Sequence, residues 1–376
     1  MMKDRIIVIG GYGHVGQAIC KQLADYYPSK VYAAGRNLAR AEQFCRTTNG
    51  KVKPIQMDVS SKVAPSLLDN VKLVIMCLDQ SDTDFVETCL QRGIHYVDVS
   101  ANPLFLSQVE QLHHTAASHG ATAVLSVGLA PGMTNLLAKY AKSLMDQTET
   151  IDISIMLGLG DSHGNAAIEW TIDNVSTQFE IMHNGQIKKV SSFTDGKDIQ
   201  FGAKLGRKRA YRFNFSDQHA IPHTLAVPTV STRLCFDSNL ITRMLAWLRT
   251  SGLFHLLKIK EIRQAAVLAF SKIRLGSDRF AVKVDAHGKQ NNEYVSVECL
   301  VQGRHEASMT AAVAAAITAA VYRSPLPHGV YHIEQLFQLQ DLLPAIEQIA
   351  AIDIRANGNV IDLQQHVDRN ISSAAG

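Results

Sequence analysis

Four glycines fall within seven residues, Gly10 to Gly16. They follow the apolar run Arg5-Ile6-Ile7-Val8-Ile9 and precede an amphipathic stretch. The spacing Gly11-x-Gly13-x-x-Gly16 suits a main chain that a pyrophosphate must touch. Gly11 permits the tight turn, Gly13 admits the phosphates, and Gly16 lets strand and helix pack closely. A helix over 14–27, with Val15, Ala18, Ile19 and Leu23 on one face, would present its unpaired N–H groups and its dipole to the anion. Tyr12, His14 and Val15 fill the turn and join the glycines as expected dinucleotide contacts.

The second strand reads as "KVYAAGRN". In an NAD-selective site, an acidic residue near the end of this strand binds the ribose hydroxyls. Here that place holds Gly35-Arg36-Asn37, with no carboxylate. A guanidinium suits a 2′-phosphate, so the expected cofactor is NADP.

Further units must position these groups. "KVKPIQMDVSS" is a strand ending in Asp58, and "VKLVIMCL" ends at Cys77-Leu78. "IHYVDVS" and "ATAVLSVG" follow, each after a helix-like segment. Alternation over roughly 125 residues predicts an α/β domain, a Rossmann doubly wound parallel sheet. Loops at the carboxyl ends of its strands line the cofactor crevice. Asp58, Cys77, Leu78, Asp98 and Ser100 occupy such ends.

Composition bounds the rest. With 376 residues there is room for two domains. A net charge of +3 is too weak to imply nucleic acid. The six cysteines are scattered with no CxxC pair, which fits a reducing, cytoplasmic setting and suggests no metal site. No apolar run approaches the roughly 20 residues of a membrane helix.

"GIHYVDVSANP" is followed, one helix and one strand later, by "VGLAPGMTNLLAKYA". This order resembles the saccharopine dehydrogenase family: a Rossmann domain, a segment like G-x-x-Y-x-D-x-S (Gly93, Tyr96, Asp98, Ser100), then Gly128, Leu129, Pro131 and Gly132 opening a helix. An alanine-rich helix near "MTAAVAAAITAAV" extends the likeness toward the end. The resemblance implies domains at 1–130 and 131–304, with 305–376 returning to pack on the first. Asp98, Pro131 and Gly132 would face the substrate. A short-chain dehydrogenase would need a Tyr-x-x-x-Lys pair in a later unit. The spacing occurs here at Tyr26 and Lys30, on the side of the sheet away from the crevice.

In the second domain, "TIDISIMLGLG" reads as a strand and "NAAIEWTIDNVSTQFEIM" as a helix. More strands follow, then one or two helices over 239–273 and a hairpin over 278–303. Mixed strands with helices on one side predict an α+β substrate and dimerisation domain, hence a homodimer. His113 and His114 are adjacent in a helix and do not share a face, so they are not paired metal ligands. The loop "GLGDSHGNAAIEW" offers candidates: His163 and Glu169 as catalytic groups, Asn165 and Trp170 as substrate contacts. A helix cap followed by a core tryptophan is the plainer reading. Arg233 could hold a substrate carboxylate or be an edge-strand arginine. The region 240–274 mixes apolar residues with Arg249, Lys258, Lys260, Arg263, Lys272 and Arg274. Such a helix can lie on an anionic membrane, but packing on its own domain or a partner subunit is the commoner use.

The resemblance implies hydride transfer from NADPH to a C=N bond made from an amine and an oxo compound. Reduction of a C=O or activated C=C bond on a more apolar substrate is the alternative, as is a non-catalytic NADP sensor.

Overall fold

The computed structural model describes residues 3–272 and 276–363. The chain divides into two compact units. One comprises the residues up to Gly132 with Ala307–Leu336, and the other Met133–Glu306 with Phe337 onward.

The first unit's sheet begins with six strands: β1 (Arg5–Ile9), β2 (Val31–Gly35), β3 (Val52–Gln56), β4 (Val71–Met76), β5 (His95–Asp98) and β6 (Thr122–Leu125). Their β-branched runs are buried on both faces. Ile6 to Ile9 and Leu73 to Met76 are essentially inaccessible to solvent, as in a parallel sheet covered on each side. The helix His14–Tyr26 packs Ile19, Cys20 and Leu23 inward.

The second unit carries β7 (Gln147–Leu157), β8 (Gln178–His183), β9 (Gln186–Ser191), β10 (Lys197–Gln200), β11 (Arg207–Arg212), β12 (Val230–Phe236), β13 (Arg279–Gln290) and β14 (Glu293–Arg304). β12 runs parallel to β7, and β13 is antiparallel to both β7 and β14. The stretch read as one helix from Asn165 divides: the helix ends at Asn174 and β8 begins at Gln178. Phe179 and Ile181, two apart, are both buried, and that alternation belongs to a strand.

The long helix Glu306–Arg323 leads back to the first unit. There β15 (Gly329–His332) pairs in parallel with β6. The sheet order is β15-β6-β5-β4-β1-β2-β3, with β1 beside the point where the order reverses. The expected return of 305–376 is therefore corrected. Only Ala307–Leu336 belong to the first unit. β16 (Ala350–Ala356) and β17 (Asn359–Val360) extend the second sheet, in the order β10-β11-β12-β7-β13-β14-β16-β17. Ladder bonds from β14 to β16 hold this segment there.

The basic region forms a helix Asn239–Thr250, a 3₁₀ turn Leu253–Lys258 and a helix Lys260–Lys272. Arg274 lies outside the described residues. Thr242 and Ala246 face inward, while Leu240, Met244 and Trp247 are exposed. Packing on its own domain or a partner subunit was the expected use. The helix packs on β11 and β12 with Ile241, Leu245 and Leu248 half-buried, and leaves a second apolar stripe exposed.

Candidate dinucleotide-binding site

A Cβ added at Gly11 would lie 2.7 Å from Ala33 Cα and from Val8 O. At Gly16 it would lie 2.2 Å from Gly10 O. Both glycines are thus required by the close approach of the turn to β2 and of the helix to β1. Gly13 differs: the one atom within reach of a Cβ there is Gly10 O, at 3.0 Å. This glycine is the N-cap of His14–Tyr26, and no side chain caps the helix. The cradle is open at the position where a side chain would exclude a phosphate, and the first-turn N–H groups await an acceptor. The residues present therefore fit a dinucleotide pyrophosphate.

Tyr12 leaves the turn toward the end of β2. A Cβ on Gly35 would come within 2.5 Å of its ring. Its hydroxyl accepts the Asn37 N–H at 3.0 Å, and the Arg40 guanidinium stands 5.3 Å from the ring centroid. Asn37 in turn caps the helix Leu38–Arg46 by accepting from Arg40 N–H. Arg36 is exposed at this edge. Two guanidiniums, Arg36 and Arg40, thus flank the end of β2. Arg40 was not singled out from sequence. Its signal was available as a second basic residue one helical turn past Arg36.

Asp58 follows β3 and accepts from both the N–H and the hydroxyl of Ser60. Those bonds, with Arg36 nearby, hold its carboxyl below the usual range, so it is ionised at neutral pH. Leu78 lies over Gly10, its Cδ2 2.9 Å from where a Cβ would be. Cys77 beside it has its thiol pushed up by burial and then by the Asp98 charge. It stays protonated and is no nucleophile. Ser100 donates its N–H to Asp98, while its hydroxyl is buried without a partner.

Three residues expected at the substrate are buried. Asp98 is fully buried. Its carboxylate accepts from Tyr96 OH at 2.6 Å and Ser100 N–H at 2.7 Å, which fixes the end of β5. Burial, partly offset by these bonds, raises its pKa. Pro131 and Gly132 are buried too, in an extended and a positive-φ conformation, and the helix starts only at Thr134.

In the second unit, His163 has both ring nitrogens engaged. Nδ1 is 2.8 Å from Glu306 Oε1, and Nε2 is 3.0 Å from Gly158 O. Burial pulls its pKa down, but the Glu306 hydrogen bond and charge outweigh this and push it up to about 9. Both ring nitrogens thus have partners within the protein. Glu169 is exposed and pairs with Arg263, as does Asp173. The side chain of Asn165 lies outside the described residues. Trp170 packs on Phe213 and Phe215 at centroid distances of 5.5 and 5.1 Å, which is the plainer reading of this loop. His163, Glu169 and Trp170 thus all make contacts within the second unit.

Arg233 is nearly buried. It bonds Asp152 at 3.2 Å, Asp195 at 2.9 Å and Ser231 at 2.7 Å, and Arg212 shares Asp195. It is a central-strand residue in an ion-pair network beside a cavity of about 240 Å³, not an edge arginine. Sequence reading also missed the turn from Phe213 to Gln218. There buried Asp217 and Gln218 bind Thr232 and the main chain, and the Ser216 hydroxyl is buried without a partner.

Fold and cradle together define an α/β protein with a dinucleotide-binding first unit. Residues 6–124 match the saccharopine dehydrogenase NADP binding domain. The match covers about a third of the chain, and there the chain is similar to the saccharopine dehydrogenase family. It is 22% identical over 243 residues to carboxynorspermidine synthase from Vibrio cholerae, a match covering 56% of this chain and 58% of that protein. The chain thus spans somewhat over half the length of this relative. Saccharopine dehydrogenase (L-Glu forming) from Saccharomyces cerevisiae shares the fold, with a TM-score of 0.67 at 14% identity over 94% of this chain and 99% of that one.

Proposed function

We propose that the protein is an NADP-dependent oxidoreductase that transfers hydride to the C=N bond of an imine formed from an amine and an oxo compound. The observation that carries the reading is the open cradle at Gly13, paired with guanidiniums and no carboxylate at the end of β2. The similarity to a protein named for making a carboxylated polyamine, carboxynorspermidine, supports the choice of imine.

Bound NADPH would supply the hydride. The chain's own part begins with Gly11, Gly13 and the first-turn N–H groups, which hold the pyrophosphate against the helix dipole. Arg36 and Arg40 would neutralise a 2′-phosphate, and Tyr12 beside them would stand at the adenosine end. Leu78 beside Gly10 keeps water from the cradle. An iminium is already electrophilic, so positioning carries more of the rate than proton donation does. A homodimer in a reducing cytoplasm belongs to the same proposal, in keeping with six free thiols, five of them buried.

The test is calorimetric titration with NADPH and NADH, followed by NADPH oxidation with panels of amines and oxo acids. Oxidation that requires both an amine and an oxo compound supports the reading. Oxidation with an oxo compound or enone alone means C=O or C=C reduction. Tight NADPH binding with no turnover on any pair means a sensor.

A further inference from the structure

An ordinary surface helix turns its apolar stripe to the core. The helix Asn239–Thr250 is apolar on both sides, with Ile241, Leu245 and Leu248 half-buried on its inner face. Leu240, Met244 and Trp247, spaced to share one face, are 78%, 49% and 63% exposed, while Thr242 and Ala246 are turned inward. The next two elements continue the surface through Leu253, Leu256, Ile259 and Leu268. Among the described residues, eight of the sixteen exposed large hydrophobics lie between Leu240 and Leu268. That density in one segment makes it a binding face, not scattered exposure.

The same segment is cationic. From 239 to 272 it has six Lys and Arg against one acid, Glu261. Arg263 is occupied by Asp173 and Glu169. Arg243, Lys258 and Lys260 are exposed among the apolar residues, and Arg207 is exposed near the helix start, where its carbonyl accepts from Asn239. A two-fold contact with a second copy would oppose like charges. An anionic lipid surface satisfies both halves of the patch: acyl chains take the Trp and Leu side chains, and headgroups take the cations.

We propose that the surface of residues 239–268 is a peripheral membrane-binding face that docks on anionic lipid, with Trp247 and Leu256 entering the interface. No helix among the described residues is long and apolar enough to cross a membrane, so the contact is in-plane. It would hold the protein beside a lipid leaflet whatever its substrate.

The test is flotation of the full chain with vesicles of phosphatidylcholine, alone or with about one-third phosphatidylserine. The expected result is flotation with the anionic vesicles, loss of it at roughly 0.5 M salt, and a blue shift of Trp247 emission. The other tryptophan, Trp170, sits in an aromatic cluster, so Trp247→Phe should remove the shift. Arg243→Ser with Lys258→Ser should weaken binding about twentyfold or more, since each cation near an anionic leaflet contributes about fivefold. Trp247→Ser with Leu256→Ser should abolish it. NADPH titration and melting curves check that each variant is folded. Absence of flotation with anionic vesicles overturns the proposal, as does equal flotation of wild type and both variants. A concentration-dependent dimer that Trp247→Ser dissociates, in a protein that ignores vesicles, would assign the face to a second copy and overturn it too.

Discussion

His163 and Glu306, 143 positions apart in sequence, are joined by a 2.8 Å contact from Nδ1 to Oε1, and both side chains are largely buried. The bond ties the loop after β7 to the first residue of the helix Glu306–Arg323. Asp161 reinforces it by accepting from the Glu306 N–H.

This pair makes stability depend on pH. The folded pKa of His163 is raised from 6.5 to about 9. Its contribution is therefore whole below about pH 6.5 and is lost as pH rises through about 9. Denaturant unfolding at pH 6, 7.5 and 9.5 should show a loss of about 2–3 kcal/mol across that window. In His163→Gln the slope should flatten, with turnover per folded molecule close to wild type. A large loss of turnover at unchanged melting temperature would restore His163 as a catalytic group.

What was legible in the sequence is what local chemistry dictates. The strand at Arg5–Ile9, the glycine spacing and the helix at 14 each declare themselves within a few residues, because turn sterics and buried parallel strands leave few choices. Long-range partners do not declare themselves. Nothing near His163 announces Glu306, and nothing near Trp170 announces Phe213 and Phe215. β15 is four residues long and takes its place from β6, so its short apolar run carries no period of its own. β16 was assigned to the wrong unit for the same reason, since its ladder partner β14 begins 57 residues before it.

Gly13 and Gly16 should separate binding from folding. A side chain at Gly13 points into the open cradle, and the backbone there, with φ −76°, tolerates one. Gly13→Val should therefore stay folded and lose at least about tenfold in NADPH affinity, because it fills the pyrophosphate's place. A side chain at Gly16 runs into Gly10 O, so Gly16→Val should lower the melting temperature or prevent folding. Melting curves with NADPH titration distinguish the two. Unchanged affinity in folded Gly13→Val would remove the cofactor assignment.

Cofactor choice should reside at the end of β2. Arg36→Asp should weaken NADPH about tenfold or more and leave NADH nearly unaffected, since a charge-assisted bond to the 2′-phosphate is lost. Arg40→Ala should show a smaller effect in the same direction. It also removes a cation from the face of Tyr12, so the double variant should lose more than either single one. Equal wild-type affinity for NADH and NADPH would contradict the choice of NADP.

The buried carboxyl of Asp98 predicts a stability effect of another kind. It depends on Tyr96 OH and Ser100 N–H, and burial already raises its pKa. Tyr96→Phe keeps the ring and removes one of those two donors, leaving a carboxylate oxygen unpaired in a site closed to water. The expected cost is about 1–3 kcal/mol at neutral pH, and it should shrink in acid as the carboxyl takes up its proton and no longer needs two donors. Asp98→Asn in the Tyr96→Phe background should recover part of the loss, because a neutral amide is cheaper to bury than an unpaired charge. Urea unfolding of the single and double variants at pH 5 and 7.5 measures this coupling. If Tyr96→Phe costs the same at both pH values and Asp98→Asn recovers nothing, the carboxylate is not what the Tyr96 hydroxyl stabilises, and the end of β5 is held by packing instead.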